Sequence, residues 1–258
     1  TPDGSALAYS TFLGGQSYDI ANDIAVTDDG SAAITGETNS VDFPTVNASQ
    51  PTNQGQNDAF IATVVPDGTA LSYSSYLGGP GFDWGWRIAV ANRIYYVTGT
   101  TSGDFPVTDG RPFGGQSDAF LAIVNFEGVM GYSRYFGGAE VDQGSGIAVD
   151  AFGNLYIAGV TRSPDFPVVN AIQPYSGNDD LFIAKLNTAL EPVYSTYLGG
   201  QGGELGADTS LLRGPSIAVD SQGNAYVTGA TSSSDFPATA GVFHPVFRGE
   251  VDAFVTKI

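Results

Sequence analysis

The chain has 258 residues, of which 42% are hydrophobic and 12% aromatic, enough to fill the core of a globular domain. Its formal charge of −18 comes from 27 acidic and 9 basic residues and excludes the basic patches that bind nucleic-acid phosphates. Because the chain has no Cys and no run of about eighteen apolar residues, we expect no disulfide, no Cys-based zinc site and no transmembrane helix.

One phrase of seven residues occurs four times, at Tyr9 to Gly15, Tyr73 to Gly79, Tyr132 to Gly138 and Tyr194 to Gly200. A period of about sixty residues is typical of stacked supersecondary units. Because this spacing leaves no room for a linker, we expect one domain over residues 1–258. Its repeats would lie at approximately 16–79, 80–138, 139–200, and 201–258 together with 1–15.

Each repeat starts with a predicted strand that reads Ile-Ala-Val, at 24–26, 88–90, 147–149 and 217–219. In three repeats an Asp and Gly turn follows, because Asp bonds its own backbone and Gly accepts a positive φ. The second predicted strand, such as Tyr96 to Gly99, is rich in β-branched and aromatic residues. We expect its glycine to end it.

The motif Asp-Phe-Pro follows the second strand, at 42–44, 104–106, 165–167 and 235–237. We expect its Phe to fill the space between repeats, its Pro to restrict the backbone and its Asp to cap a local turn. The third predicted strand opens at Asp58, Asp118, Asp180 and Asp252, and the fourth is the seven-residue phrase. Four antiparallel strands repeated radially describe a propeller blade.

These motifs resemble the bacterial beta-propeller repeat (SBBP-type) family, in which Tyr-Ser-Thr-Tyr-Leu-Gly-Gly precedes Ile-Ala-Val-Asp, Gly-Asn-Ala-Tyr-Val-Thr-Gly and Asp-Phe-Pro. Repeat four has nearly all of them, at 194–200, 217–220, 223–229 and 235–237. The resemblance implies a propeller in a large secreted or surface-attached protein and supplies no catalytic residue. With four repeats, the expected fold is an all-β, four-bladed β-propeller with four antiparallel strands per blade.

The two ends of the sequence predict how the last blade is completed. The third strand of repeat four ends at Ile258, while residues 1–13 align with residues 65–77 of repeat one. We therefore expect residues 7–13 to pair beside residues 252–258. Pairing within one chain closes the ring and is our first interpretation. Pairing with a neighbouring chain makes a head-to-tail polymer.

A carboxylate follows each Gly-Gly pair by four residues, at Asp19, Asp83, Asp142 and Glu204. If the repeats gather these side chains around one channel mouth, they suit Ca²⁺, which takes six to eight oxygen ligands. In the alternative interpretation each carboxylate caps its own turn. No Asp-x-Asp-x-Asp-Gly loop supports calcium, so Ca²⁺ is an option and no cofactor is assigned.

Two segments that belong to one repeat only are candidate contacts with a partner: Trp84, Trp86 and Arg87 in repeat two, and Leu211, Leu212 and Arg213 in a lengthened link of repeat four. Exposed Trp beside Arg suits a sugar or a protein, and a loop lengthened on a rigid scaffold is where function is added. Packing of the Trp residues over the channel mouth is the competing interpretation.

Three classes of function follow from the sequence. The first is a non-catalytic extracellular or cell-surface module, structural, adhesive or self-assembling, whose partner is a surface protein, a glycan or another copy. Its acidic composition and lack of reactive residues favour this class, which is not an enzyme. The second is a glycosidase, which needs two carboxylates about 5–5.5 Å or 6.5–9.5 Å apart, here Glu204 and Asp208. The third is an adhesion domain stabilised by a cation.

The start at Thr1-Pro2 carries no signal peptide and is expected to be a mature or trimmed end. The single histidine, His244, has no second His, no Cys and no identifiable nucleophile as a partner, so we assign it no catalytic or metal-binding role.

Overall fold

A computed structural model describes residues 1–204 and 214–258 of the chain. Over these residues the fold is all β, with strands arranged in four antiparallel sheets. Three sheets have four strands each and the fourth has three, as is consistent with propeller blades. Within the described ranges, no helix has the length and apolar character needed to cross a membrane.

Within each sheet the strands lie side by side in the order in which they occur along the chain. The first sheet contains β1 (Asp19–Val26), β2 (Ala32–Thr38), β3 (Asp58–Val64) and β4 (Leu71–Leu77). The second contains β5 (Asp83–Ala91), β6 (Ile94–Thr101), β7 (Asp118–Asn125) and β8 (Met130–Phe136). The third contains β9 (Asp142–Val149), β10 (Leu155–Thr161), β11 (Asp180–Leu186) and β12 (Pro192–Leu198). The fourth contains β13 (Ser216–Val219), β14 (Ala225–Thr231) and β15 (Asp252–Lys257). The strand order predicted from the repeats is confirmed.

The chain divides into two compact units. The first comprises Thr1–Val97, Thr101–Gly110 and Ala122–Arg134 and contains the first sheet. The second comprises Thr98–Thr100, Arg111–Leu121 and Tyr135–Ile258 and contains the third and fourth sheets. The residues of the second sheet are divided between these ranges. A single domain over the whole chain stays a prediction.

The Phe of three Asp-Phe-Pro motifs lies in a small aromatic cluster, at Phe43, Phe166 and Phe236. In the first compact unit the Phe43 ring lies 4.6 Å from Phe60 and 5.8 Å from Tyr76. The same cluster recurs in the second compact unit, where Phe166 lies 4.5 Å from Phe182. Each of these Phe rings therefore packs on the third strand of its own sheet, and Phe43 and Phe166 are almost completely buried.

The glycine of the second strand does not end that strand, which corrects our expectation. Gly36 lies inside β2 and pairs with Phe60 of β3. A bulge in β1 between Ala21 and Asp23 brings the Ile20 carbonyl oxygen so close that an added Cβ on Gly36 would lie 1.8 Å from it. Glycine is required here because the backbones approach closely, not because the strand stops.

Replacement of Gly36 by Ala is expected to lower the free energy of unfolding by about 1–3 kcal/mol, because the new Cβ forces two backbones apart. Gly131→Ala in β8 is the matched control, since the nearest atom to its added Cβ is the Ile123 carbonyl oxygen at 3.9 Å. Urea denaturation of both variants measures the difference. Equal losses of stability in the two variants would contradict this explanation.

Candidate functional site

The four carboxylates considered as metal ligands each accept a hydrogen bond from a backbone N–H of the Gly-Gly turn. The donor-to-acceptor distances are 2.8 Å for Gly15 to Asp19, Gly79 to Asp83 and Gly138 to Asp142, and 2.6 Å for Gly200 to Glu204. A serine hydroxyl also donates to Asp19, Asp142 and Glu204. Each side chain thus caps its own turn, as in our alternative interpretation.

This capping geometry does not favour the calcium prediction. Among the described residues, no group of three His, Cys, Asp or Glu side chains is arranged to hold a metal ion. Ca²⁺ takes six to eight oxygen ligands. The capping carboxylate of a turn and one neighbouring carboxylate together supply fewer oxygens than that. Calcium binding at Asp19, Asp83, Asp142 and Glu204 therefore stays an untested prediction.

A second buried carboxylate lies beside each of three capping side chains. An added Cβ on Gly78 would lie 2.6 Å from an Asp83 oxygen and 2.9 Å from an Asp58 oxygen, so both carboxylates face the same turn. Burial disfavours the charged form of such groups, and the neighbouring carboxylate adds to the effect at Asp83. Burial raises the pKa to about 6 in four of these side chains: Asp58, Asp83, Asp118 and Asp180.

The tryptophans of repeat two are half-buried against their own compact unit. The Trp84 ring stacks on Phe82 with centroids 5.6 Å apart, and Arg87 Nη1 donates a hydrogen bond to the Trp86 carbonyl oxygen at 2.7 Å. Between these residues, the Gly85 carbonyl oxygen accepts a hydrogen bond from Asn22 of β1. These contacts hold the segment on its own compact unit, and both packing over the channel mouth and a partner at this segment stay predictions.

Leu211, Leu212, Arg213 and Asp208 lie outside the described residues. A cleft of about 510 Å³ in the second compact unit is lined by Arg111, Phe113 and Tyr135, and Asp165 is the one carboxylate among its described lining residues. Asp165 accepts a hydrogen bond from the Ala139 N–H, so it serves a turn, as the other caps do.

The Asp of the Asp-Phe-Pro motif also caps, but at long range. Asp42 accepts a hydrogen bond from the Gln16 N–H at 2.9 Å, and Asp235 accepts one from the Gln201 N–H at 2.9 Å. The expectation of a local cap was wrong, because the donor lies 26 or more residues earlier. The motif fastens the incoming chain to the sheet it is about to enter.

The N-terminal segment does not complete the fourth sheet of its own chain. Residues 7–13 form no ladder, and β15 pairs only with β14 among the described residues. Phe12 is fully exposed and Leu7 is 81% exposed. The prediction that residues 7–13 pair beside residues 252–258 within one chain is therefore wrong for this structure.

The reason is that the segment is held on the first sheet instead. Three contacts fasten it: the Gly15 N–H to Asp19, the Gln16 N–H to Asp42, and the Ser17 N–H to Ser40 Oγ at 2.9 Å. The same three contacts join the third sheet to the fourth, from Gly200 to Glu204, Gln201 to Asp235 and Gly202 to Ser233. Residues 13–17 thus follow the path of an outer strand that leaves one sheet for the next.

Side-chain packing repeats this relation. Leu13 packs on the cluster of Phe43 and Phe60, as Leu198 of β12 packs in the cluster that contains Phe254. An added Cβ on Gly68 would lie 2.4 Å from the Tyr9 ring. At the equivalent position in the next repeat, an added Cβ on Gly128 would lie 2.6 Å from the Tyr73 ring. Residues 9–17 therefore occupy the place of the outer strand of a sheet that precedes the first.

Residues 1–6 already form the turn that precedes an outer strand. The Gly4 N–H donates to the Thr1 carbonyl oxygen at 2.9 Å, as the Gly68 N–H donates to Val65 at 2.9 Å. The Thr1 nitrogen donates to the Ala6 carbonyl oxygen at 2.7 Å. The segment carries the turn of a β3–β4 hairpin while its outgoing strand stays unpaired.

Two stretches of the chain, residues 131–167 and 193–237, match the family described as the beta-propeller repeat, SBBP. Those stretches are beta-propeller repeats. The match confirms the resemblance drawn from the Tyr-Ser phrase and the Asp-Phe-Pro motif, and the chain is a β-propeller repeat module. The specific role of the module is a separate question, because a shared scaffold hosts many functions.

Comparisons with whole proteins add little to this assignment. No curated protein matches the chain. Among solved structures, the endosialidase of phage phi92 is similar over 93% of this chain and 35% of its own, with 13% identity and a TM-score of 0.45. A mutant of the Synechocystis apocarotenoid oxygenase is similar over 88% and 46%, with 13% identity and a TM-score of 0.38. The chain spans less than half of either protein, and neither likeness bears on its function.

The buried carboxylates predict how stability depends on pH. Their folded-state pKa of about 6 lies above the ordinary value of 3.8, so the folded state binds more protons between these values. The free energy of unfolding is therefore expected to fall as the pH rises from about 4 to about 6.5. Urea denaturation across this range measures the slope.

Asp118→Asn is the informative variant, because its amide oxygen can still accept the Gly114 N–H but cannot titrate. We expect a shallower fall in stability with pH than in the native chain. A native chain whose stability rises throughout this range would show that these side chains stay ionised when folded.

Proposed function

We propose that this chain is a non-catalytic extracellular or cell-surface structural module that assembles head to tail with other copies by strand donation. Residues 7–13 of one copy enter the fourth sheet of the next copy beside β15. One observation carries the proposal: among the described residues, one sheet has three strands, and an unpaired segment has the sequence of an outer strand. An open sheet edge is a ready template for a strand from another chain.

The complete sheets give the register of the donated strand. Phe60 pairs with Tyr76 in the first sheet, and Phe182 pairs with Tyr197 in the third. Phe254 is the equivalent residue of β15, and Phe12 is the equivalent residue of the N-terminal segment. Phe12 of one copy therefore pairs with Phe254 of the next.

An aromatic cluster supports this register. In complete sheets a third ring joins the pair, as Tyr197 joins Phe166 at 6.2 Å. In the fourth sheet Phe236 and Phe254 lie 4.6 Å apart. The repeat assigns the third position to Phe12, whose ring is solvent-exposed in the isolated chain. Burial of one such aromatic side chain contributes about 1.5–3 kcal/mol.

The loop before β15 offers a second set of partners. In complete sheets the outer-strand serine donates to the proline carbonyl oxygen of Asp-Phe-Pro, as Ser74 Oγ does to Pro44 at 2.6 Å and Ser195 Oγ to Pro167 at 2.8 Å. In the proposed complex Ser10 of one copy donates to Pro237 of the next. Nearly all of residues 237–250 are exposed, as expected for a loop that awaits its outer strand.

The chemistry of the chain supports a role without catalysis. Its repeated carboxylates cap backbone turns, and the cleft in the second compact unit has one carboxylate among its described lining residues. A two-carboxylate hydrolysis requires a second acid at a fixed separation. A net charge of −18 favours an extracellular medium and disfavours nucleic acid as a partner.

Adhesion to a surface protein or glycan is a second candidate role, favoured by the half-buried tryptophans of β5. Trp and Arg are enriched where proteins bind partners. Adhesion is compatible with assembly, because Trp84 and Trp86 lie on the second sheet and the donated strand involves the first and fourth. The strand-donation role is preferred because it accounts for an unpaired strand and an open edge together.

The native chain is expected to form linear polymers whose mean mass grows with concentration, measured by light scattering and electron microscopy. Phe12→Asp is expected to raise the concentration needed for assembly about 10- to 100-fold, as the loss of about 1.5–3 kcal/mol implies. Phe152→Asp, which alters an exposed phenylalanine in the β9–β10 turn, is the control and should assemble like the native chain. A native chain that stays monomeric at high concentration would contradict strand donation and favour closure within one molecule.

A further inference from the structure

The fourth sheet has an apolar face that is uncovered in the isolated chain. Val255 on β15 is 77% exposed, whereas the equivalent residues Ile61 and Ile183 are 1% and 0% exposed. Tyr226 on β14 is partly exposed, whereas the equivalent Tyr156 is fully buried. The same face of the fourth sheet therefore differs from its counterparts in having no covering sheet among the described residues.

The third sheet indicates what covers such a face. In the second compact unit, Leu181, Ile183 and Leu198 form one cluster with Val227 and Phe254 of the fourth sheet. The Tyr156 hydroxyl donates to the Gly223 carbonyl oxygen at 2.9 Å. The fourth sheet thus covers this face of the third sheet with the face that carries Val227 and Phe254.

The first sheet has a face that is equivalent to this covering face of the fourth sheet, and residues on it are also exposed. Ile24 and Val26 on β1 are 60% and 70% exposed. Ile24 is equivalent to Ile217 of β13, which packs against the third-sheet cluster. Among the described residues, the fourth sheet therefore has an uncovered face of the kind that a following sheet covers, and the first sheet has an uncovered face of the kind that covers a preceding sheet.

We propose that, in the polymer, the fourth sheet of the copy that accepts the strand packs face to face on the first sheet of the copy that donates it. Tyr226 and Val255 of the accepting copy then lie against Ile24 and Val26 of the donating copy. This inference deepens the proposed function and rests on it. The donated strand commits the two faces to meet, because residues 9–17 are already fastened to the first sheet as an outer strand is fastened to the sheet that follows it. A second copy that accepts this strand brings its fourth sheet onto that surface.

The repeats also indicate a specific contact across the interface. In the second compact unit, an added Cβ on Gly146 would lie 3.1 Å from Ile217 Cγ2. In the first compact unit, Asp23 Oδ2 accepts a hydrogen bond from the Ile88 N–H at 2.9 Å. In both cases, the residue before the Ile of an Ile-Ala-Val strand lies beside the Ile of the equivalent strand in the next sheet. The pairs are Gly146 with Ile217 and Asp23 with Ile88. Ser216 of the accepting copy is therefore placed beside Ile24 of the donating copy.

The cysteine-free sequence permits a specific cross-linking test of this contact. Chains with Ser216→Cys and chains with Ile24→Cys are mixed, assembled and mildly oxidised. We expect a disulfide-linked dimer that contains one chain of each kind. The control replaces Ile24→Cys by Val129→Cys, an exposed position in the β7–β8 turn, and should give no mixed dimer with Ser216→Cys. An internal cross-link in the double variant Ser216→Cys/Ile24→Cys, at a dilution where it is monomeric, would overturn the proposal.

A second experiment separates the two faces from strand pairing. Strand pairing is measured as binding of a labelled peptide of residues 1–15 to Phe12→Asp chains, with and without Ile24→Asp. Polymer formation is followed separately, in native chains and in Ile24→Asp chains. We expect Ile24→Asp to weaken polymerisation at least tenfold and to leave peptide binding unchanged, whereas Val129→Asp changes neither. If Ile24→Asp chains polymerise like native ones, face packing is wrong and strand donation stands. If native chains do not polymerise and the peptide does not bind, strand donation itself has failed.

Discussion

The structure depends on one recurring interaction, the capture of an outer strand by two sheets at once. The strand pairs with the third strand of its own sheet, and the Gly-Gly turn after it is fastened to the next sheet by a capping carboxylate, a serine hydroxyl and the Asp of Asp-Phe-Pro. Each backbone N–H that would otherwise be unsatisfied in the turn finds an oxygen within one of these contacts. The repeat therefore propagates from sheet to sheet through its outer strands.

At the N-terminal segment, this interaction is half made. Residues 9–17 keep the contacts to the following sheet and lack the ladder to a preceding one. The fourth sheet has the converse arrangement, with β15 present and no outer strand beside it among the described residues. Since both halves occur on one chain, copies joined head to tail would satisfy every repeat alike. The polymer proposal and the face-packing proposal are two consequences of the same geometry.

The same turns account for the most conspicuous acidic residues of the repeats, which cap backbone N–H groups. One oxygen of Asp83 accepts the Gly79 N–H, one oxygen of Asp142 accepts both the Gly138 N–H and the Ser163 hydroxyl, and both side chains are fully buried. Burial next to a second carboxylate raises the pKa of Asp118 and Asp180 to about 6, which couples their protonation to folding. The acidity of the chain thus has two origins, buried caps and a solvated surface.

The sequence by itself determined the repeat and the order of strands within each sheet, because these depend on local periodicity and on motifs such as Tyr194 to Gly200. It also offered turn caps as one of two roles for Asp19 and Asp142. Only the tertiary structure decided that Gly36 marks a close backbone approach and that Asp42 bonds the distant Gln16. It also decided that residues 7–13 stay off β15 of their own chain. These features depend on contacts between segments far apart in sequence, and a strand pattern is the same whether its partner lies in one molecule or in two.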